Sequence, residues 1–80
     1  MKAIIIDDSI AATKALQEKL NATYHDIQVV ATATMGNEGL VLVNKFSPEL
    51  LFLDVELPDM SGIDFLCQMH NNACKWCHVV

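Results

Sequence analysis

LLFLD, residues 50–54, is the stretch on which the reading of this chain turns: four apolar residues that end abruptly in an acid. A half-buried strand alternates apolar and polar side chains, whereas an unbroken apolar run of this length fits a strand covered on both faces, as in a parallel sheet. KAIIID, residues 2–7, repeats the pattern, and a second acid, Asp8, follows at once. Two buried strands that both finish in Asp imply one sheet edge on which Asp7, Asp8 and Asp54 stand together.

Working outward, Asp8 or Ser9 is placed to cap a helix in which Ala12, Ala15, Leu16 and Leu20 recur at helical spacing. Residues 21–26 form a polar connection, and IQVVATA, residues 27–33, carries the β-branched content of a second strand. Met35, Gly39, Leu42, Val43 and Phe46 mark one face of a second helix, with Leu40 and Val41 off that face and available for contact; Ser47-Pro48 stops it. After LLFLD, residues 55–61 (VELPDMS) have turn chemistry at Pro58 and Asp59. Ser61 can cap a third helix whose shared face is Gly62, Leu66, Met69 and Ala73, loosening near Asn71 and Asn72. CHVV, residues 77–80, opens a fourth strand. Strands alternating with helices predict an α/β fold, a parallel sheet with helices on both faces and right-handed crossovers.

Composition narrows the partners. With 52% hydrophobic and 19% charged residues, the 80-residue chain has the makings of one small packed core. A net charge of −5 with five Lys and Arg excludes a basic patch of the kind that binds nucleic-acid phosphates, so no direct nucleic-acid binding is expected. The apolar runs fall far short of the roughly 20 residues that span a bilayer, and no secretory signal pattern opens the chain, so a cytoplasmic location is expected.

In open parallel α/β sheets the functional crevice lies beyond the carboxyl ends of the strands. Three carboxylates converging there repel one another unless a cation or a proton intervenes. Magnesium suits such a set, since it prefers oxygen ligands and takes one or two carboxylates with waters and a phosphate oxygen. A carboxylate beside it can act as nucleophile on a phosphoryl group. Each acid alone would be an ordinary turn or cap residue; acid endings on two apolar strands, one of them doubled, favour the phosphoryl-acceptor reading.

IIIDDS, residues 4–9, and LLFLDVELPDMSGIDFL, residues 50–66, closely resemble the acid pair and the phosphoacceptor segment of response-regulator receiver domains. The resemblance covers the whole chain and implies a flavodoxin-like (CheY-like) fold with strand order 2-1-3-4. It implies that Asp54 accepts phosphate from a sensor histidine kinase, and that Asp7, Asp8, Asp54 and the backbone carbonyl of Glu56 hold Mg²⁺. Pro58 and Gly62 match the family's turn and helix start. DVELP, residues 54–58, is similar to the LytR/AlgR group, whose output domains bind DNA and regulate transcription. A receiver has five strands and five helices, so the chain is expected to be a single receiver domain, residues 1–80, truncated at the start of strand four. The family's switch Ser or Thr and its Lys would then lie beyond Val80, and an exposed strand edge would favour a homodimer.

Two other functions compete. An aspartyl-phosphate phosphohydrolase would want Asp-x-Asp after the first strand, which Asp7-Asp8 does not provide; a non-phosphorylatable interaction remnant would lack the acceptor activity altogether. The chain is therefore not expected to be an enzyme in its own right. Cys74-Lys75-Trp76-Cys77 has redox or zinc spacing, with Cys67, His70 and His78 nearby. A redox pair normally opens a helix, and Cys77 and His78 would point to opposite faces of a strand, so free thiols are expected. His25 is expected in solvent and Trp76 as a loop anchor.

Overall fold

The computed structural model describes residues 1–72 and 78–79. In chain order it contains β1 (Lys2–Ile6), α1 (Ile10–Thr23), β2 (Gln28–Ala33), α2 (Gly36–Phe46), β3 (Leu50–Leu53), α3 (Gly62–Asn72) and β4 (His78–Val79). The sheet is parallel with order β2-β1-β3-β4. This is the parallel α/β sheet that the alternation of strands and helices predicts, in the CheY-like strand order that the resemblance to receiver domains implies. Because β1 is central, Ala3, Ile4, Ile5 and Ile6 are all buried, which is why its sequence shows no polar alternation.

Each helix begins where the sequence provides a cap, except one. Of the two candidates for α1 it is Ser9 that caps, its Oγ accepting the Ala12 N–H at 3.1 Å. Ser61 Oγ accepts the Asp64 N–H at 3.1 Å at the head of α3. α2 starts at Met35, whose side chain makes no cap hydrogen bond. It stops at Ser47, in the left-handed conformation with φ 46°, followed by buried Pro48.

Several boundaries and faces differ from the sequence expectation. α1 continues through Thr23 rather than giving way at Asn21, because Leu20 is buried and the Tyr24 N–H still closes on the Leu20 carbonyl at 2.8 Å. Ile27 belongs to the turn before β2, its N–H donating to the Tyr24 carbonyl at 3.2 Å. Leu40, placed off the face of α2, packs against the core, while Val41 is exposed as expected. Phe65 is the largest fully buried side chain although the expected face of α3 omitted it. Ala12 and Ala15 are exposed, so α1 contacts the sheet along a narrower stripe, through Leu16 and Leu20.

The main core lies between the sheet and α2 and α3, where Ile4, Ile6, Ala33, Val43, Leu51, Leu57, Phe65 and Met69 cluster. Ala73, the Cys74–Cys77 motif with Trp76, and Val80 lie outside the described residues. No helix is long and apolar enough to cross a membrane among the described residues.

Candidate functional site

The sheet register places the acids. The Asp7 N–H donates to the Ala33 carbonyl at 3.0 Å and the Asp54 N–H to the Ile6 carbonyl at 2.9 Å, so the ends of β2, β1 and β3 are laced together at one edge. Asp8 follows Asp7 without a spacer. One carboxylate oxygen each from Asp7, Asp8 and Asp54 lies within 4.8 Å of the others, with Asp7 and Asp54 half-buried and Asp8 exposed.

The electrostatics record the crowding. Asp8 is held above the ordinary carboxylate range, first by loss of solvation, then by the charges of Asp54 and Asp7, and then by hydrogen bonds to them that favour its protonated form. Asp7 also serves the backbone, its Oδ1 accepting the Ser9 N–H at 2.9 Å. The set contains only hard oxygen donors, with no thiol or imidazole, and three of them can face one small cation. It is consistent with the magnesium site of receiver domains.

Residues 55–61 fold back as a tight loop. The Leu57 N–H donates to the Met60 carbonyl at 3.0 Å, the Gly62 N–H to the Val55 carbonyl at 2.7 Å, and Glu56 bridges to Ser61. Gly62 is required by close approach, since a Cβ there would sit 3.0 Å from the Asp54 carbonyl oxygen and from the Val55 Cα. Glu56 is exposed beside the acceptor candidate, its N–H 3.4 Å from Asp54 Oδ1.

One residue carries, in the sequence, only turn chemistry. Asp59 accepts the Gly36 N–H at 2.7 Å on Oδ1 and the Asn37 N–H at 2.9 Å on Oδ2, capping α2 from a distant loop. These bonds, that from Asn37 first, hold its carboxyl below the ordinary range. The available signal was an absence: α2 opens without Ser, Thr, Asp or Asn at Met35, which leaves orphan N–H groups that some other residue must satisfy.

Of the remaining candidates, Cys67 is an exposed free thiol and His25 is exposed. Beside the acids, a groove of about 190 Å³ is lined by Ile5, Leu16 and Phe52 together with Asp7 and Asp54.

Comparison with known proteins agrees with this geometry. The response regulator receiver domain family matches residues 3–80, and the chain belongs to it. It is 44% identical over 64 residues to a protein-glutamate methylesterase/protein-glutamine glutaminase of Methanococcus maripaludis, covering 80% of this chain and 17% of that protein. Among solved structures, the response regulator domain of Thermotoga maritima CheB superposes with a TM-score of 0.88 at 24% identity, covering 99% of this chain and 57% of that one. A CheX–CheY–BeF3–Mg complex from Borrelia burgdorferi gives 0.80 at 23%, covering 89% and 53%. The chain thus spans less than a fifth of the length of the curated relative and a little over half of these solved chains. Receiver domains belong to two-component signalling, and the acid cluster is typical of their phosphoacceptor site.

Proposed function

We propose that the chain is a single receiver module in which Asp54 takes a phosphoryl group from a phosphohistidine of a sensor histidine kinase. An Asp54 oxygen forms the new bond to phosphorus as the P–N bond breaks, and the departing imidazole nitrogen keeps the electron pair and is protonated. The observation that carries this reading is the convergence of Asp7, Asp8 and Asp54 within 4.8 Å at the carboxyl edge of a parallel sheet. Asp54 follows β3 directly and is pinned by its N–H to the Ile6 carbonyl. Asp7, Asp8, Asp54 and the Glu56 backbone carbonyl would hold Mg²⁺, which when bound neutralises charge on the phosphoryl oxygens. The chain's own residues position the nucleophile, and no separate catalytic turnover is assigned to it.

Incubation with a small phosphodonor and Mg²⁺, followed by mass spectrometry, tests the assignment. Phosphate should appear on Asp54 and vanish in Asp54→Asn; phosphate on Asp7 or Asp8 would overturn it. Turnover of a generic phosphate ester would instead point to a phosphohydrolase. Millimolar Mg²⁺ should shift the amide resonances of the three acids.

Finer assignments belong to the same proposal. DVELP, residues 54–58, supports a LytR/AlgR-type receiver acting in transcription regulation. The scarcity of Lys and Arg supports output to a protein partner rather than direct nucleic-acid contact, and the proposed setting for input from the kinase and for that output is the cytoplasm. A homodimer is supported by Val79, 41% exposed on β4, the outermost strand among the described residues, and sedimentation across a wide concentration range tests it.

A further inference from the structure

The hydrogen bonds around the acids form a circuit. From Asp7 it passes to the Ala33 carbonyl at the end of β2, and from there two residues of chain lead to the first turn of α2. The Gly36 and Asn37 N–H groups pass it to the Asp59 carboxylate, and the folded loop of residues 55–61 returns it to Asp54. The Asp54 N–H closes it on the Ile6 carbonyl, next to Asp7. Every link but one is backbone to backbone or the chain itself; the exception is the Asp59 side chain.

The contact it makes is tight. Beside it Met60 lies so close to α2 that a Cβ on Gly36 would come within 2.5 Å of Met60 Cγ and 2.6 Å of its Sδ. α2 has no cap of its own, because Met35 contributes no side-chain hydrogen bond. The tip of the acceptor loop therefore docks on the first turn of α2 through one bidentate carboxylate and one packed methionine. The base of the loop is fastened by the Gly62 N–H to Val55 and carries Asp54 and Glu56.

Resting on the reading of Asp54 as phosphoacceptor, we infer that Asp59 is a positioning residue for it: by tying the acceptor loop to the first turn of α2, it fixes where Asp54 and the Glu56 carbonyl stand relative to Asp7 and Asp8. It touches none of the reacting atoms. Without the tie, the loop keeps its internal bonds and the packing of Met60 but loses its hydrogen-bonded anchorage to the β2–α2 side of the site. Phosphoryl transfer then suffers because its rate depends steeply on nucleophile placement.

A helix cap that merely stabilises can be replaced by another cap, whereas a positioning tie cannot. Met35 is extended, at φ −131° and ψ 150°, and 39% exposed, so Met35→Ser can supply α2 with a cap of its own. The experiment compares wild type, Asp59→Ala, Asp59→Asn and the double variant Met35→Ser with Asp59→Ala. It measures the rate of Asp54 phosphorylation by acetyl phosphate with Mg²⁺, and denaturant midpoints. Asp59→Ala should slow phosphorylation by about tenfold or more. Asp59→Asn, which keeps one acceptor oxygen, should recover part of the rate, and Met35→Ser should restore the midpoint but not the rate. Wild-type rate in the double variant, or in Asp59→Ala itself, would overturn the inference.

Should the wild-type chain take no phosphate on Asp54, the acceptor reading fails separately, and the metal-free amide spectrum decides the tie. Shifts in Asp59→Ala that reach Asp54 and Glu56 uphold it. Shifts confined to Gly36, Asn37 and their immediate neighbours overturn it.

Discussion

On the side of the sheet covered by α2 and α3, Ile4, Ile6 and Leu51 pack with Val43, Phe65 and Met69, none of them more than 5% exposed. On the α1 side, Ile5 and Phe52 have one helix over them among the described residues, which contributes the half-buried Leu16 and the buried Leu20, and a groove lies between it and the sheet. The strands are the same and alternate side chains serve the two faces, so the difference is made by the helices. The first face behaves as a close-packed interior, intolerant of volume change in either direction. The second can relax into its groove and should be more forgiving.

The largest effect should come from emptying the dense face. Phe65→Ala should lose about 3–5 kcal/mol of stability, enough to threaten folding in a domain this small, whereas Leu16→Ala beside the groove should lose about 1 kcal/mol. Denaturant unfolding of both variants makes the comparison directly; equal losses would show that the groove is as well packed as the core.

Overfilling the same face should come next. A Cβ on Gly39 would sit 2.4 Å from Ile6 Cδ1 and 3.0 Å from Phe65 Cε2. Gly39→Ala should therefore cost about 1–3 kcal/mol despite its gain in helix propensity. Two extra carbons on the α1 side, in Ala15→Val, meet solvent and should cost no more than about 0.5 kcal/mol, the lower helix propensity of valine.

α1 relies more on its own cap because it has less packing to hold it. Ser9→Ala should cost about 1 kcal/mol, and should raise amide exchange along the first turn of α1 without disturbing α2.

The smallest effects are electrostatic and opposite in sign. Asp59, on the dense side, has its carboxyl pKa lowered on folding from the ordinary 3.8, so its contribution is present above that value and is lost as pH falls through the folded pKa. Asp8, at the head of α1, has a raised pKa. In metal-free protein its penalty is absent below the ordinary Asp range and develops as pH rises through the folded value. Asp8→Asn should flatten the decline of metal-free stability with rising pH, and Asp59→Asn should flatten the loss on acidification. Stability profiles measured across the acid range with and without Mg²⁺ separate the two.

Sequence by itself determined which segments become strands, because fully apolar runs bounded by turns have few other uses. It also determined where the acids fall, because Asp7, Asp8 and Asp54 follow those runs without a spacer. The caps at Ser9 and Ser61 were legible for the same local reason: the side chain bonds an N–H three residues ahead in its own segment. Tertiary structure alone decided that α1 runs on to Thr23, that Leu40 and Phe65 enter the core, and that Asp59 caps a helix 22 residues away. Periodicity assigns a helix a face, but how the helix rolls against the sheet decides which flanking residues are covered. A hydrogen bond between segments distant in the chain leaves no periodic trace; its only mark in the sequence is the missing cap at Met35, a need whose supplier is visible only once α2 and the β3–α3 loop are side by side.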